Sequence, residues 1–150
     1  MKSEAIVELG KPLQTIETET PEPKGKEVLL KITHSGVCHS DVHIHDGYFD
    51  LGGGNKLPVG AMLNLPHTMG HEIEGEVVSI GPEVTDVEIG SHVVAYPWIG
   101  CGECATCKAG DEHYCNAPRQ LGIQLPGGFA DYCIVPDSKY VLDYEGIRPG

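Results

Sequence analysis

An all-β, barrel-like domain with two metal-bearing excursions is predicted, on three observations. Glycine and proline are abundant, 20 and 11 of 150 residues, which favours a turn-rich chain over a helical bundle. Short runs rich in Val, Ile and Leu recur between turn clusters. Convincing amphipathic helical periodicity is missing along the chain.

The elements follow in order. Residues 5–9 form a short apolar strand. Residues 27–34 (EVLLKITH) form a second, entered through the Pro- and Gly-containing cluster at 21–25. The stretch 47–65, with Gly52-Gly53-Gly54, reads as a loop too irregular for a core element, and loops of that length are commonly functional. Residues 73–80 alternate in part and stop at Gly81-Pro82. Strands at 92–96 and 130–135 complete the set, the last entered through Gly127-Gly128 and stopped by Pro136. Repeats and low-complexity tracts are absent.

Composition bounds the function. The hydrophobic fraction of 40% supplies one core, and 10 basic against 22 acidic residues give a net charge of −12. So acidic a surface excludes the basic patch that a nucleic acid or an anionic membrane requires. No apolar run approaches the roughly 20 residues that span a bilayer. Met1-Lys2-Ser3-Glu4 opens no signal peptide, so the expectation is a soluble, cytoplasmic protein.

The six cysteines then point to metal rather than to disulfides, because the cytosol is reducing. Cys101-x-x-Cys104-x-x-Cys107, followed after seven residues by Cys115, is the sharpest signal. Zinc takes four soft ligands at tetrahedral corners, and two-residue spacings let tight turns aim successive thiolates at one point. Four thiolates leave no open position, so this site is read as structural, fixing a lobe at about 98–118 that lacks a core of its own. The alternatives are ordinary buried cysteines, two disulfides, or a zinc-ribbon interaction module.

A second set is mixed. Gly36-Val37-Cys38-His39-Ser40-Asp41-Val42-His43 follows the strand at 27–34, and Gly70-His71-Glu72-Ile73-Glu74-Gly75 opens the strand at 73–80. Cys38 and His71 together would make an S/N pair with an incomplete ligand set, the pattern of a catalytic zinc that keeps a position open. Taken singly, Cys38 reads equally as a small core hydrophobe and His71 as a surface histidine.

With Gly10-Lys11-Pro12, the four-cysteine lobe, Pro118-Arg119-Gln120-Leu121-Gly122-Ile123 and the stretch 130–136, these motifs resemble the zinc-dependent medium-chain alcohol dehydrogenases over essentially the whole chain. The resemblance implies a GroES-like, partly open β-barrel with a zinc-bearing lobe and few short helices. Cys38 and His71 match the first two catalytic zinc ligands, and Glu72 a carboxylate that coordinates transiently. Asp41 matches the acid that orients the zinc-bound histidine. Ser40 matches the hydroxyl that receives the alcohol proton, and His43 the histidine that passes it outward through the cofactor ribose. His39 matches a residue near the cofactor pyrophosphate, while Trp98 and Phe49 match walls of the substrate pocket.

By the same resemblance the cofactors are zinc and NAD or NADP, and the substrate is a small alcohol or aldehyde. The nicotinamide is bound through a Rossmann domain, and full-length relatives form homo-oligomers. No Gly-x-Gly-x-x-Gly follows a strand here, and the third fixed zinc ligand, a cysteine after the barrel, would lie beyond Gly150. The expectation is therefore an N-terminal portion that holds one zinc firmly and a second weakly, and that does not turn over alcohol alone. A second hypothesis is a zinc-stabilised structural or interaction module without catalysis.

Cys133 is expected to be a core thiol. His34, His45, His67, His92 and His113 have no matched role, although His67 lies near enough to His71 in sequence to be tested as a metal donor.

Overall fold

The computed structural model describes residues 1–144; the tail at 145–150 lies outside the described residues. β1 (Lys2–Ile6) pairs antiparallel with β2 (Gln14–Glu17). β3 (Val28–Gly36) follows, then helix α1 (His39–Asp46) and the hairpin β4 (Tyr48–Gly52) and β5 (Asn55–Pro58). β6 (His67–Thr68), β7 (Glu72–Ile80) and β8 (His92–Ala95) precede the lobe helix α2 (Ala105–Lys108). β9 (Tyr132–Val135) and β10 (Val141–Asp143) complete the sheets.

The main sheet has the order β10-β8-β7-β3-β9, and a smaller one β2-β1-β6. A bridge between Ser3 and Ala130, with the Glu4 N–H donating to Phe129 O at 2.8 Å, joins the two at one edge. The two sheets together form a partly open barrel. No helix among the described residues is long and apolar enough to cross a membrane.

Alternation explains the strands. In β7 the buried positions are Ile73, Gly75 and Val77, a period of two that faces one side of the sheet inward. They meet Val28 and Leu30 of β3, Val93 and Ala95 of β8, and Cys133 and Val135 of β9 in one apolar core. A second cluster of Ile6, Ile44, Leu63 and Met69 lies under α1.

Several boundaries differ from the sequence reading. The first strand lies at Lys2–Ile6 rather than at 5–9, because Lys2 and Glu4 face solvent while Ser3 and Ala5 face inward. β2 is short and mostly polar, and β10 is only three residues long, so neither stands out in the sequence. The stretch 47–65 is not irregular throughout. It carries the β4–β5 hairpin, turned by Gly52, Gly53 and Gly54 at positive φ, and a 3-10 turn at Gly60–Met62.

Helix α1 is the largest correction. At eight residues it is too short to be stable alone, and of its two aliphatic side chains, Val42 and Ile44, it buries only Ile44. Its ends compensate. The Ser40 N–H donates to Cys38 Sγ (3.3 Å), the Cys38 N–H donates to Asp41 Oδ2 (2.9 Å), and Gly47 closes the helix at φ +80°. His45 Nε2 donates to Lys11 O at 2.7 Å, tying the last turn to the preceding loop. Since Ile44 is fully buried, Ile44→Ala is expected to cost about 2–5 kcal/mol. Urea denaturation should show it as a lower midpoint at unchanged slope.

Candidate functional site

Helix α1 and the start of β7 bring the second motif pair together. Cys38 sits at the helix N-terminus and His71 immediately before β7, thirty-three residues apart in sequence, with Sγ 3.4 Å from Nε2. Ligands on one tetrahedral zinc, one sulfur and one nitrogen, stand about 3.6 Å apart at ordinary bond lengths. The pair fits such an ion.

Asp41 lies on the opposite edge of the ring. It is 2% exposed, and its Oδ1 is 3.5 Å from His71 Nδ1, an ion-pair separation slightly long for a hydrogen bond. The same oxygen accepts from the Gly70 N–H at 3.3 Å, and Oδ2 accepts from the Cys38 N–H. Gly70 has φ +93° and packs against Phe129 and Ser35, so only glycine fits the turn that aims the next residue, His71, at Cys38.

The charges follow this geometry. The Asp41 carboxylate raises His71 to about 9, against the opposing effect of burial. Burial pushes Asp41 upward, but the His71 ring and the N–H groups of Cys38 and Gly70 outweigh it and hold the carboxyl below its usual range. The Ser40 hydroxyl and N–H lower the Cys38 thiol. Together these effects favour a thiolate beside a protonated His71 ring, with Nδ1 toward the Asp41 carboxylate and Nε2 facing the sulfur.

Ser40 Oγ lies 2.7 Å from Cys38 Sγ, and no hydrogen bond joins it to His43. His43 stacks on His39, one helical turn earlier (ring centroids 4.6 Å apart, 12° between planes), and meets Phe49 on β4 at a tilt (4.9 Å, 43°). His39 is exposed at the first position of α1.

A cavity of about 130 Å³ is lined by Ser40, Phe49, His71, Pro97, Trp98, Gln120, Leu121 and Ile123. A wider depression of about 650 Å³ runs past it, with Cys38, His71, Glu72 and Trp98 on its walls. Glu72 thus shares the depression. The close donor group is Cys38, Asp41 and His71, without Glu72, whose carboxylate folds against Gly36.

The four lobe cysteines converge. Sγ separations are 3.4 Å for Cys104–Cys107 and 3.9 Å for both Cys101–Cys107 and Cys104–Cys115. All four thiols are free. Sulfurs on a tetrahedral zinc stand about 3.8 Å apart, so this set fits one ion. Backbone N–H groups of Glu103 and Cys104 bring the Cys101 thiol down to about 6, while desolvation pushes Cys107 up to about 12. Further N–H groups point at sulfur, from Cys107 to Cys104 and from Ala117 to Cys115.

The remaining candidates separate from these centres. His67 is a core histidine, buried on β6, with Nε2 donating to Gly122 O at 3.0 Å, and burial lowers its pKa. It does not join the His71 donor group. Cys133 is buried on β9 and pushed up to about 12. His34 pairs with Glu74 at 2.8 Å, and His113 lies against Tyr114 with the rings tilted by 50°.

The sequence reading assigned no role to Pro97, Gln120, Leu121 or Ile123. Their only signal was position, on either side of the cysteine run, and nothing in their chemistry marks them.

Comparison with known proteins gives concordant results. Residues 24–144 match the alcohol dehydrogenase GroES-like domain. An NAD-dependent alcohol dehydrogenase of Saccharolobus solfataricus is 44% identical over 148 residues, covering 99% of this chain and 42% of that protein. An L-threonine 3-dehydrogenase of Pyrococcus furiosus is 36% identical over 136 residues, covering 91% of this chain and 37% of that protein. The structure of a cobalt- and zinc-bound thermostable alcohol dehydrogenase from Pyrobaculum aerophilum superposes with a TM-score of 0.80 at 31% identity, covering 98% of this chain and 42% of that one. The chain therefore spans about two fifths of the length of these relatives. Its antiparallel barrel and the match across 24–144 agree: the chain belongs to the alcohol dehydrogenase GroES-like domain family.

Proposed function

We propose that this chain is the metal- and substrate-binding part of a zinc-dependent alcohol dehydrogenase, which converts an alcohol to an aldehyde or ketone and works with a nicotinamide-binding Rossmann domain. The observation that carries the reading is the 3.4 Å approach of Cys38 Sγ to His71 Nε2 with Asp41 behind the ring, beside a cavity walled mainly by apolar side chains. Cys38 and His71 would hold the catalytic zinc, while Glu72 lines the same depression outside their donor group. Cys101, Cys104, Cys107 and Cys115 hold the structural one. When bound, zinc supplies Lewis-acid polarisation of the substrate oxygen, and NAD or NADP supplies hydride acceptance and return.

The chain's own residues do the rest. Asp41 fixes the ring of His71 and keeps Nε2 directed at the metal position. Ser40 faces both the Cys38 sulfur and the cavity, and its hydroxyl can accept a proton from the substrate hydroxyl while donating its own. His43 sits at position i+3 from Ser40, on the neighbouring stripe of α1, and its imidazole, with one donor and one acceptor nitrogen, is the next group able to carry the proton outward. His39, stacked on His43, faces the cofactor side. Phe49 and Trp98 bracket the carbon skeleton of the substrate.

Two measurements test this. The wild-type chain dialysed against zinc should retain two ions and Cys38→Ser one; equal stoichiometry in both would sink the second site. In the enzyme that joins this chain to its nucleotide-binding domain, Ser40→Ala should lower kcat by about 10²–10⁴-fold with the metal content unchanged. A variant that kept full turnover would remove Ser40 from the proton path.

A further inference from the structure

The cysteine lobe leaves the barrel and returns to it through two neighbouring feet. Residues 97–100 lead out and 119–123 lead back. Two backbone bonds clip them together, the Arg119 N–H to Ile99 O at 2.8 Å and the Leu121 N–H to Pro97 O at 3.3 Å. These feet are also one wall of the 130 Å³ cavity, with Pro97 and Trp98 from the first and Gln120, Leu121 and Ile123 from the second. Trp98 is the chain's one tryptophan and is 47% exposed, so its place depends on what holds the backbone of the first foot.

Glu112 is the side chain that holds it. It lies inside the lobe, between Cys107 and Cys115, with its side chain largely buried. Its Oε2 accepts from the Gly100 N–H at 3.4 Å, two residues after Trp98, and from the Tyr140 hydroxyl. Its Oε1 accepts from Lys139 Nζ. Its backbone carbonyl accepts from the Cys115 N–H at 3.0 Å. Tyr140 is itself buried in the main core, and its carbonyl accepts from the Tyr96 N–H at 2.8 Å, just before the first foot. The fit is tight, since a Cβ on Gly100 would stand 2.5 Å from Cys107 Sγ and 3.1 Å from Glu112 Cβ. Lys139 and Tyr140 also hold Glu112 ionised, below the ordinary carboxyl range.

We propose that Glu112 is a positioning residue for the substrate-facing wall, fixing Trp98 by fastening the outgoing foot of the cysteine lobe to the barrel at Lys139 and Tyr140. The cysteine lobe then does more than stabilise, because its geometry is transmitted to the cavity through one carboxylate. That the wall faces an alcohol rests on the proposed function; the coupling of Glu112 to Trp98 does not.

The test is optical and uses the zinc-loaded 150-residue chain, in which selective excitation reports Trp98 alone. Glu112→Ala should shift the emission to longer wavelength and raise acrylamide quenching about twofold, as local opening exposes a half-buried ring. Zinc content should stay at the wild-type value. Glu112→Gln keeps one amide oxygen that can accept from both Gly100 and Tyr140, as Oε2 does, and should restore most of the wild-type spectrum. A folded, zinc-loaded Glu112→Ala chain with wild-type emission and quenching overturns the proposal, even if its melting temperature falls. If Glu112→Ala does not fold, Tyr140→Phe and Lys139→Met remove its partners singly; unchanged Trp98 optics in both overturns the proposal, and a shift in either supports it. In the longer enzyme the same variant should raise KM for alcohol at near-constant kcat. Absence of any alcohol oxidation there would sink the enzyme reading and leave the Trp98 result standing.

Discussion

Replacing Cys107 by serine is expected to melt the lobe and release its metal. Within residues 101–118 the only buried side chains are Cys107 and Cys115, so no apolar core remains once the sulfurs lose their common partner. Structural zinc in small peptides contributes about 10–16 kcal/mol of apparent free energy at pH 7. That is comparable with the whole stability of a domain, about 5–15 kcal/mol. Loss of one thiolate from four should therefore leave α2 and the following 3-10 turn unable to persist. Limited proteolysis would show it directly, as new cleavage after Lys108, with the zinc count falling by one. The barrel strands should keep most of their protection, because their core of Val28, Leu30, Val77 and Val135 lies apart from the sulfurs. A serine variant that kept both its zinc and its protease resistance would show that the lobe folds on other contacts.

Replacing His71 by alanine should have the largest effect on chemistry. Loss of the Lewis acid is worth several kcal/mol, on the order of 10³-fold or more in the kcat of the longer enzyme. Asp41→Asn, which leaves the ring in place but removes its charge partner, should cost about 10–100-fold in metal affinity or activity. The two variants also differ in pH dependence. With His71 raised to about 9 by Asp41, the ring carries a proton at pH 7 that metal uptake must release. Affinity at the second site should therefore rise as pH increases, by about tenfold per unit for one released proton, and level off above about pH 9. In Asp41→Asn the levelling should come at lower pH, because the carboxylate that holds the proton is gone. Zinc titration of the Cys101–Cys115 lobe in the same samples gives the internal control. An affinity for the second site that did not change with pH would mean that His71 is not a ligand.

The parts of the protein that were legible in the sequence are those written locally. The spacing of Cys101, Cys104, Cys107 and Cys115 confines four thiolates to fifteen residues, and tight turns do the rest. β3, β7, β8 and β9 were legible because runs of Val, Ile and Leu bounded by Gly and Pro have few other solutions. Helix α1 was not legible. Three histidines, one buried aliphatic and a sulfur cap give it little helical character of its own, and Ile44, Gly47 and the His45–Lys11 bond hold it only once the barrel is present. The β4–β5 hairpin was likewise hidden behind three consecutive glycines.

The sequence by itself determined that the chain is a turn-rich β domain with four cysteines gathered within fifteen residues, and its family resemblance named Cys38, Ser40, Asp41 and His71 as residues of one chemistry. Only the tertiary structure decided how these meet. It put Asp41 and Cys38 on opposite edges of one imidazole, left Glu72 outside the closest donor group, moved His67 into the core, and built a cavity wall from the two feet of the lobe. The physical reason is range. Ligand spacing and strand periodicity act over a few residues, where chain geometry alone limits the outcome. A bond across thirty-three residues, or a wall made from both sides of an eighteen-residue excursion, exists only after the sheets have closed and buried their apolar faces.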